Sequence, residues 1–154
     1  MEVLNLPKTE LKLCIKDNRT MVFDILRRRF VTLTPEEWVR QHFVHFLIKH
    51  KGYPASCVGN EISLCLNGTR KRCDTVVYDG CARPIMIVEY KSADVSISRK
   101  VFEQIARYNI AMRVQWLVVS NELQHYCCRV DYDNSTYHFL TDIPTYAEMT
   151  AHSS

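Results

Sequence analysis

Glu61-Ile-Ser-Leu-Cys-Leu-Asn-Gly-Thr-Arg-Lys-Arg-Cys-Asp74-Thr-Val-Val-Tyr78 is followed closely by Pro84-Ile-Met-Ile-Val-Glu-Tyr-Lys91. Asn67-Gly68 between two alternating runs is a strong hairpin signal, because both residues tolerate the positive φ of a two-residue turn. Such a loop sets Leu66 opposite Thr69 and, counted outward, Glu61 opposite Asp74. Opposed side chains start roughly 4.5–5.5 Å apart at Cβ, so these two acids repel unless a positive group lies between them. In the next run Ile85, Ile87, Glu89 and Lys91 share one face of a strand. Three acids and a lysine therefore converge at one place on a sheet.

The sequence around that stretch reads as one domain. Its 154 residues are 47% hydrophobic, enough for a substantial core. The net charge of +3 permits nucleic-acid binding without demanding it, so the placement of the basic residues matters more than their sum. Arg27-Arg28-Arg29, Lys49 to Lys51 and Arg70-Lys71-Arg72 are clusters, and the last abuts the acidic stretch, where a phosphate backbone would lie. No apolar run is long enough to span a membrane, and the N-terminus lacks the pattern of a signal peptide. Seven cysteines at irregular spacing, with no Cys-x-x-Cys, suggest reduced thiols in a cytoplasmic protein rather than a disulfide frame or a zinc site. Cys127 and Cys128, being adjacent, point to opposite faces of a strand.

In chain order, residues 11–16 alternate and Asp17-Asn18 offers a turn into Met21-Val-Phe, which gives a short hairpin. Arg27 to Leu33 reads as strand or loop. Thr34-Pro-Glu-Glu37 opens a helix: Thr34 is the N-cap, Pro35 suits the first turn, and Glu37 completes a capping box. Trp38, Val39, Phe43, Phe46 and Leu47 form its apolar stripe, and Gly52 with Pro54 ends it. Ser98 caps a second helix running to about Met112. Residues 114–120 suit a central strand buried on both faces, His125 to Val130 a further one, and Thr136 to Leu140 an edge strand. Beyond Pro144 no pattern stands out. The expected division is 1–33 as an N-terminal hairpin or extension, 34–144 as core and 145–154 as tail. The order helix, three strands, helix, strand is that of a mixed α/β sheet flanked by helices.

A Glu-x-Lys pair on a strand is most often a solvated face. Acids entering an apolar run such as 85–91 need a compensating partner, however. Mg²⁺ prefers oxygen ligands and keeps several waters, so two or three carboxylates suffice to hold it over a phosphate, and a nearby lysine can orient the attacking water. Gln104 and Tyr108, four apart, fall on one helix face. His42 and His45 lack an evident third ligand, and Ser120, His125 and Cys127 lack a nucleophile-elbow sequence. Tyr53, Tyr90, Tyr108 and Tyr126 are candidates for base stacking, with core packing as their default.

Asp74, Glu89-Tyr-Lys91 and Gln104-x-x-x-Tyr108 together resemble the signature of the PD-(D/E)XK nuclease superfamily with its Q-x-x-x-Y extension. More narrowly, Leu33-Thr-Pro-Glu-Glu-Trp-Val-Arg-Gln41, Gly52-Tyr-Pro54, Arg72-x-Asp74 and Gln104-Ile-Ala-Arg-Tyr-Asn109 resemble the N-terminal domain of type I restriction enzyme R subunits, over roughly residues 20 to 144. The residue before Asp74 is Cys73, where the superfamily pattern has proline.

That resemblance implies a restriction-endonuclease-like α-β-β-β-α-β core and a Mg²⁺-dependent DNA endonuclease, with Mn²⁺ as a substitute. Asp74 and Glu89 would bind metal and take part in catalysis, and Lys91 would be catalytic. Gln104 and Tyr108 would support the site or contact DNA, with Arg70 and Arg72 on the phosphate backbone. Glu61 and Glu37 compete as third acid. The capping box already explains Glu37, so Glu61 is preferred. Double-stranded DNA is the expected partner, with a separate motor or a specificity or methylation subunit beside it, and a homo-oligomer is compatible. Type I R subunits carry an ATP-driven motor after the nuclease, and no Gly-x-x-x-x-Gly-Lys-Ser/Thr loop occurs here. The alternative function is a catalytically silent DNA-binding or protein-docking module with the same fold.

Overall fold

The Asn67-Gly68 turn joins β4 (Val58–Leu66) to β5 (Thr69–Tyr78), with Leu66 opposite Thr69. Both turn residues are left-handed, at φ 51° and 75°, as a two-residue hairpin loop requires. The computed structural model describes residues 6–121 and 123–151. From this hairpin the main sheet grows in one direction. β6 (Pro84–Tyr90) pairs antiparallel with β5, and β7 (Trp116–Ser120) lies parallel to β6. β8 (His125–Asp131) and β9 (Thr136–Leu140) then add antiparallel, giving the order β4-β5-β6-β7-β8-β9. The parallel pair needs a crossover, which is α2 (Arg99–Ile110).

Before the sheet runs α1 (Pro35–His50). The six-stranded mixed sheet with flanking helices is the architecture expected from the element order, and it is compatible with a nuclease-like core. Thr34 Oγ1 accepts from the Glu37 amide at 3.0 Å and Ser98 Oγ from the Val101 amide at 3.2 Å, so both helices start where their caps indicate. The capping box of α1 is only half formed. The Glu37 carboxylate turns inward and accepts from Arg27, Arg40 and Gln41.

Strand alternation divides the core into two layers. On one side of the sheet Val77, Met86, Val88, Tyr90, Val118 and Cys127 pack with Val39, Phe43 and Leu47 of α1. On the other, Val76, Ile87, Leu117, Val119 and Cys128 pack with Phe102 and Ala106 of α2. Cys127 and Cys128 separate as expected, and all seven cysteines are free. Ile85 joins the α1 side instead of following Ile87, because the β5–β6 register shifts between Val77 and Tyr78. Every residue of β7 is buried, which fits its place between two strands and two layers.

Residues ahead of α1 form a second sheet of β1 (Leu13–Lys16), β2 (Arg19–Asp24) and β3 (Arg29–Thr32). Asp17 and Asn18, at φ 52° and 61°, make its first turn. The stretch from Arg27 to Leu33, open to either reading, supplies its third strand. The tail after Pro144, where no pattern stood out, is ordered by a local capping signal. Thr145-Tyr-Ala-Glu148 is a capping sequence; Thr145 Oγ1 accepts from the Glu148 amide at 3.1 Å and opens α3 (Tyr146–Ala151). Tyr146 donates its hydroxyl to the Tyr78 carbonyl at 2.8 Å, and Met149 is fully buried. No helix among the described residues is long and apolar enough to cross a membrane.

Asp24 ties the small sheet to the large one. It is fully buried and accepts from the Leu26 and Arg27 amides, the Arg27 guanidinium and Asn60 of β4. Burial alone would raise its pKa, but these donors outweigh it and hold the carboxyl below its usual range. Asp24→Ala leaves the buried Asn60 amide without this acceptor and the partly buried Arg27 guanidinium with Glu37 alone. The expected loss is about 3–5 kcal/mol of folding stability, read as a lower midpoint in urea denaturation.

Candidate metal centre

The acidic stretch sits where β6 ends, beside the middle of the β4–β5 hairpin, whose pairing runs on to the Asn67-Gly68 turn. Asp74 stands on β5, and its Oδ2 accepts from the Tyr90 amide of β6 at 2.9 Å. That bond brings it beside Glu89, the neighbour of Tyr90. The two carboxyl groups are close enough to share a hydrogen bond. Glu89 alternates with Ile87 and so faces α2. It lines a cleft of about 330 Å³ with Lys71, Lys91, Val101, Gln104 and Ile105. The Lys91 amide continues the parallel ladder by donating to the Ser120 carbonyl at 2.9 Å, which fixes the backbone from which its side chain enters the cleft.

Glu61 takes a different position. The register Asn60–Thr75 and Ile62–Cys73 counts it opposite Asp74, as expected. Its own backbone is left-handed, at φ 55°, and drops out of the ladder. A non-glycine residue in that region costs of order 1 kcal/mol or more and persists only where its surroundings hold it. Here two guanidiniums do so: Arg40 reaches Oε1 at 2.5 Å and Arg72 reaches Oε2 at 2.7 Å. Arg40 also lies 3.8 Å from Asp74 and 3.0 Å from Glu37. The positive group that the opposed acids require is therefore Arg40 on this side of the sheet. These ion pairs hold the Glu61 carboxyl below its usual range despite partial burial, with Arg40 the largest favourable influence.

Glu89 behaves in the opposite way. Burial is the main cause, the charge of Asp74 adds to it, and contact with Lys71 offsets only part, so its pKa is pushed up to about 7. Glu89, desolvated and beside the like charge of Asp74, faces a cleft where a cation would relieve it. Among the described residues no group of three or more His, Cys, Asp or Glu side chains gathers as a ligand set. Two carboxylates still suit Mg²⁺, a hard cation that takes oxygen ligands and keeps several waters. The donors present fit it.

Other predicted residues are placed as follows. Gln104 lies on the wall of the cleft formed by α2, and the side chain of Tyr108 lies outside the described residues. Arg70 and Arg72 are exposed on β5, on the face away from Lys71. Tyr53 and Tyr90 are buried. Tyr90 donates to Thr75, which donates to Asn60 at 2.7 Å, so this ring belongs to an internal polar chain. His42 bonds the Trp38 carbonyl, and burial lowers the pKa of His45. Ser120 and His125 are cross-strand partners, 2.7 Å from Oγ to Nδ1, but Ser120 is fully buried and out of reach of a substrate.

Lys71 entered the sequence reading only as the middle of the basic cluster Arg70-Lys71-Arg72, and Arg40 carried no role in it. Lys71 had a readable signal, since alternation from Arg70 to Arg72 sends only the middle residue to the face of Cys73 and Glu89. Arg40 had a weaker one, in its spacing of three from Glu37.

A family model described as the type I restriction enzyme R protein N terminus matches residues 35–144, from the start of α1 to the loop before α3. No curated protein and no solved structure matches the chain significantly.

The raised pKa of Glu89 has a sign that can be measured. The folded protein holds this proton more tightly than the unfolded chain, so its contribution to stability is complete below about pH 4.5 and is lost as pH rises through about 7. Relative to Glu89→Gln, the melting temperature of the metal-free protein should fall across that window. Added Mn²⁺ should restore it above neutral pH in the wild type and not in Glu89→Gln. Parallel pH profiles of the two proteins would show that Glu89 has no such shift.

Proposed function

This chain belongs to the type I restriction enzyme R protein N-terminal family, and we propose that it is a Mg²⁺-dependent DNA endonuclease domain of the PD-(D/E)XK kind. The observation that carries this reading is the approach of Asp74 to Glu89, which lines a cleft together with Lys91 and Gln104. Family membership supplies the restriction context, and the partners proposed with it are double-stranded DNA and a separate motor, specificity or methylation subunit.

In this reading Asp74 and Glu89 hold Mg²⁺, or Mn²⁺ in its place. Held there, such a cation would supply Lewis-acid polarisation of a phosphoryl oxygen and a lowered pKa for a water molecule. The protein's own groups do the rest. Tyr90 fixes Asp74 through its amide, so one ligand is positioned by the sheet backbone itself. Lys91 orients the attacking water and offsets charge growing on the phosphate, work that a preorganised cation performs without rearrangement. Gln104 supplies a neutral donor and acceptor from the opposite wall. Arg70 and Arg72, exposed on the hairpin, follow the phosphate backbone, a contact that fixes register without reading sequence. Glu61 serves this arrangement from the far side of β5 by anchoring Arg40 and Arg72.

The test uses purified wild type, Asp74→Asn and Lys91→Met with linear and supercoiled DNA in Mg²⁺ or Mn²⁺. Wild type should cleave in a cation-dependent manner, with each variant slower by about a hundredfold or more. Equal cleavage by all three would remove the catalytic assignment. Absence of both cleavage and cation binding in the wild type would favour the silent DNA-binding or docking module.

A further inference from the structure

We propose that Lys71 is the cation that holds Glu89 in the metal-free protein and is transferred to a substrate phosphate when a divalent cation takes the carboxylate. This rests on the metal-dependent reading above and adds to it the residue that links cation binding to DNA binding.

Three observations lead to it. First, strand alternation separates the basic triplet of the hairpin. Arg70 and Arg72 are exposed on one face, where Arg72 also bonds Glu61, whereas Lys71 alone of the three turns toward the cleft. Second, the Lys71 ammonium makes a close ion pair with Glu89 Oε1 while its side chain stays 22% exposed. It is thus a cation at the mouth, held by one carboxylate and free to swing on a flexible stem. Third, Lys91 and Gln104 line the same cleft, so a phosphate drawn there meets both lysines at once.

Charge balance gives the direction of the transfer. Without metal, and with Glu89 ionised, the carboxylate of Glu89 answers Lys71, so of the two cleft lysines only Lys91 is open to a phosphate, while Asp74 has Arg40 beside it. An ammonium brings one positive charge to the carboxylate pair and a divalent cation brings two, so the metal is the stronger partner for Glu89. Once Glu89 is taken, both ammoniums lack a counter-ion in a partly desolvated cleft. A phosphodiester supplies one. Cation and DNA then favour each other through Lys71, and because the coupling is thermodynamic it acts in both directions.

The measurement is DNA affinity by fluorescence anisotropy, with and without Ca²⁺ as the oxygen-seeking cation, for wild type, Lys71→Met and Lys71→Arg. Calorimetric titration of each protein with Mn²⁺ accompanies it. Wild type should bind DNA more tightly with Ca²⁺. Lys71→Met should lose about three- to tenfold of affinity in Ca²⁺, with a salt-dependence slope smaller by about one, and little without the cation. Lys71→Arg should restore most of the slope. If Lys71→Met keeps the full Ca²⁺ enhancement and slope while still binding Mn²⁺, Lys71 is only a structural partner of Glu89 and the inference fails with the nuclease reading intact. If wild type shows neither Mn²⁺ binding nor a Ca²⁺ effect, both fall together.

Discussion

Arg40 is the group on which the rest of this structure depends. It is 5% exposed and projects from α1 into a run of acids contributed by separate elements: Glu37 of its own helix, Glu61 of β4 and Asp74 of β5. Glu37 in turn binds Arg27, which binds Asp24, which accepts from Asn60. One chain of ion pairs thus crosses from the small sheet through α1 to the large one. Burying so many charges is unfavourable unless each is paired, and pairing is achieved only when all the elements are docked in one arrangement. Apolar packing of Val39, Phe43 and Leu47 supplies cohesion at the same surface, but it tolerates sliding in a way that fixed guanidinium bonds do not.

The same residue divides the acidic stretch into two environments. On the α1 side Arg40 and Arg72 satisfy Glu61, whose carboxyl is stabilised as an anion. On the α2 side Glu89 faces Asp74 with only Lys71 against it, and its ionised form is destabilised. Carboxylates that look alike in the sequence are therefore driven in opposite directions. Of these acids Glu89 lines the cleft, where an added cation could reach it. Separation of unlike environments a few residues apart is how proteins commonly prepare such sites.

Most of the fold was legible because its signals are local. The Asn67-Gly68 turn, the caps at Thr34 and Ser98, and the unbroken apolar run before Ser120 each act within a few residues, and each element formed where it was expected. Even the short helix after Pro144 has a local signal, in Thr145 and Glu148. The opposition of Glu61 and Asp74 was legible too, since a two-residue turn and a period of two are enough to compute it, whereas the meeting of Asp74 with Glu89 depends on a β5–β6 register that carries a shift. Glu37 shows where local reasoning stops. Its capping role accounted for the residue, yet its carboxylate is held by Arg27, ten residues away, and by Arg40.

By itself the sequence determined the order of the elements, the hairpin register, the two faces of the sheet and the presence of opposed acids, because turn chemistry and side-chain alternation depend only on near neighbours. Which cation answers which acid was decided by tertiary structure. Arg40 reaches Glu61 across twenty-one positions and Lys71 reaches Glu89 across eighteen. Those partnerships follow from how α1 and the hairpin pack on the sheet, and from the left-handed turn of the backbone at Glu61. The electrostatics of a buried site depends on distances between elements, and those distances exist only once the chain has folded.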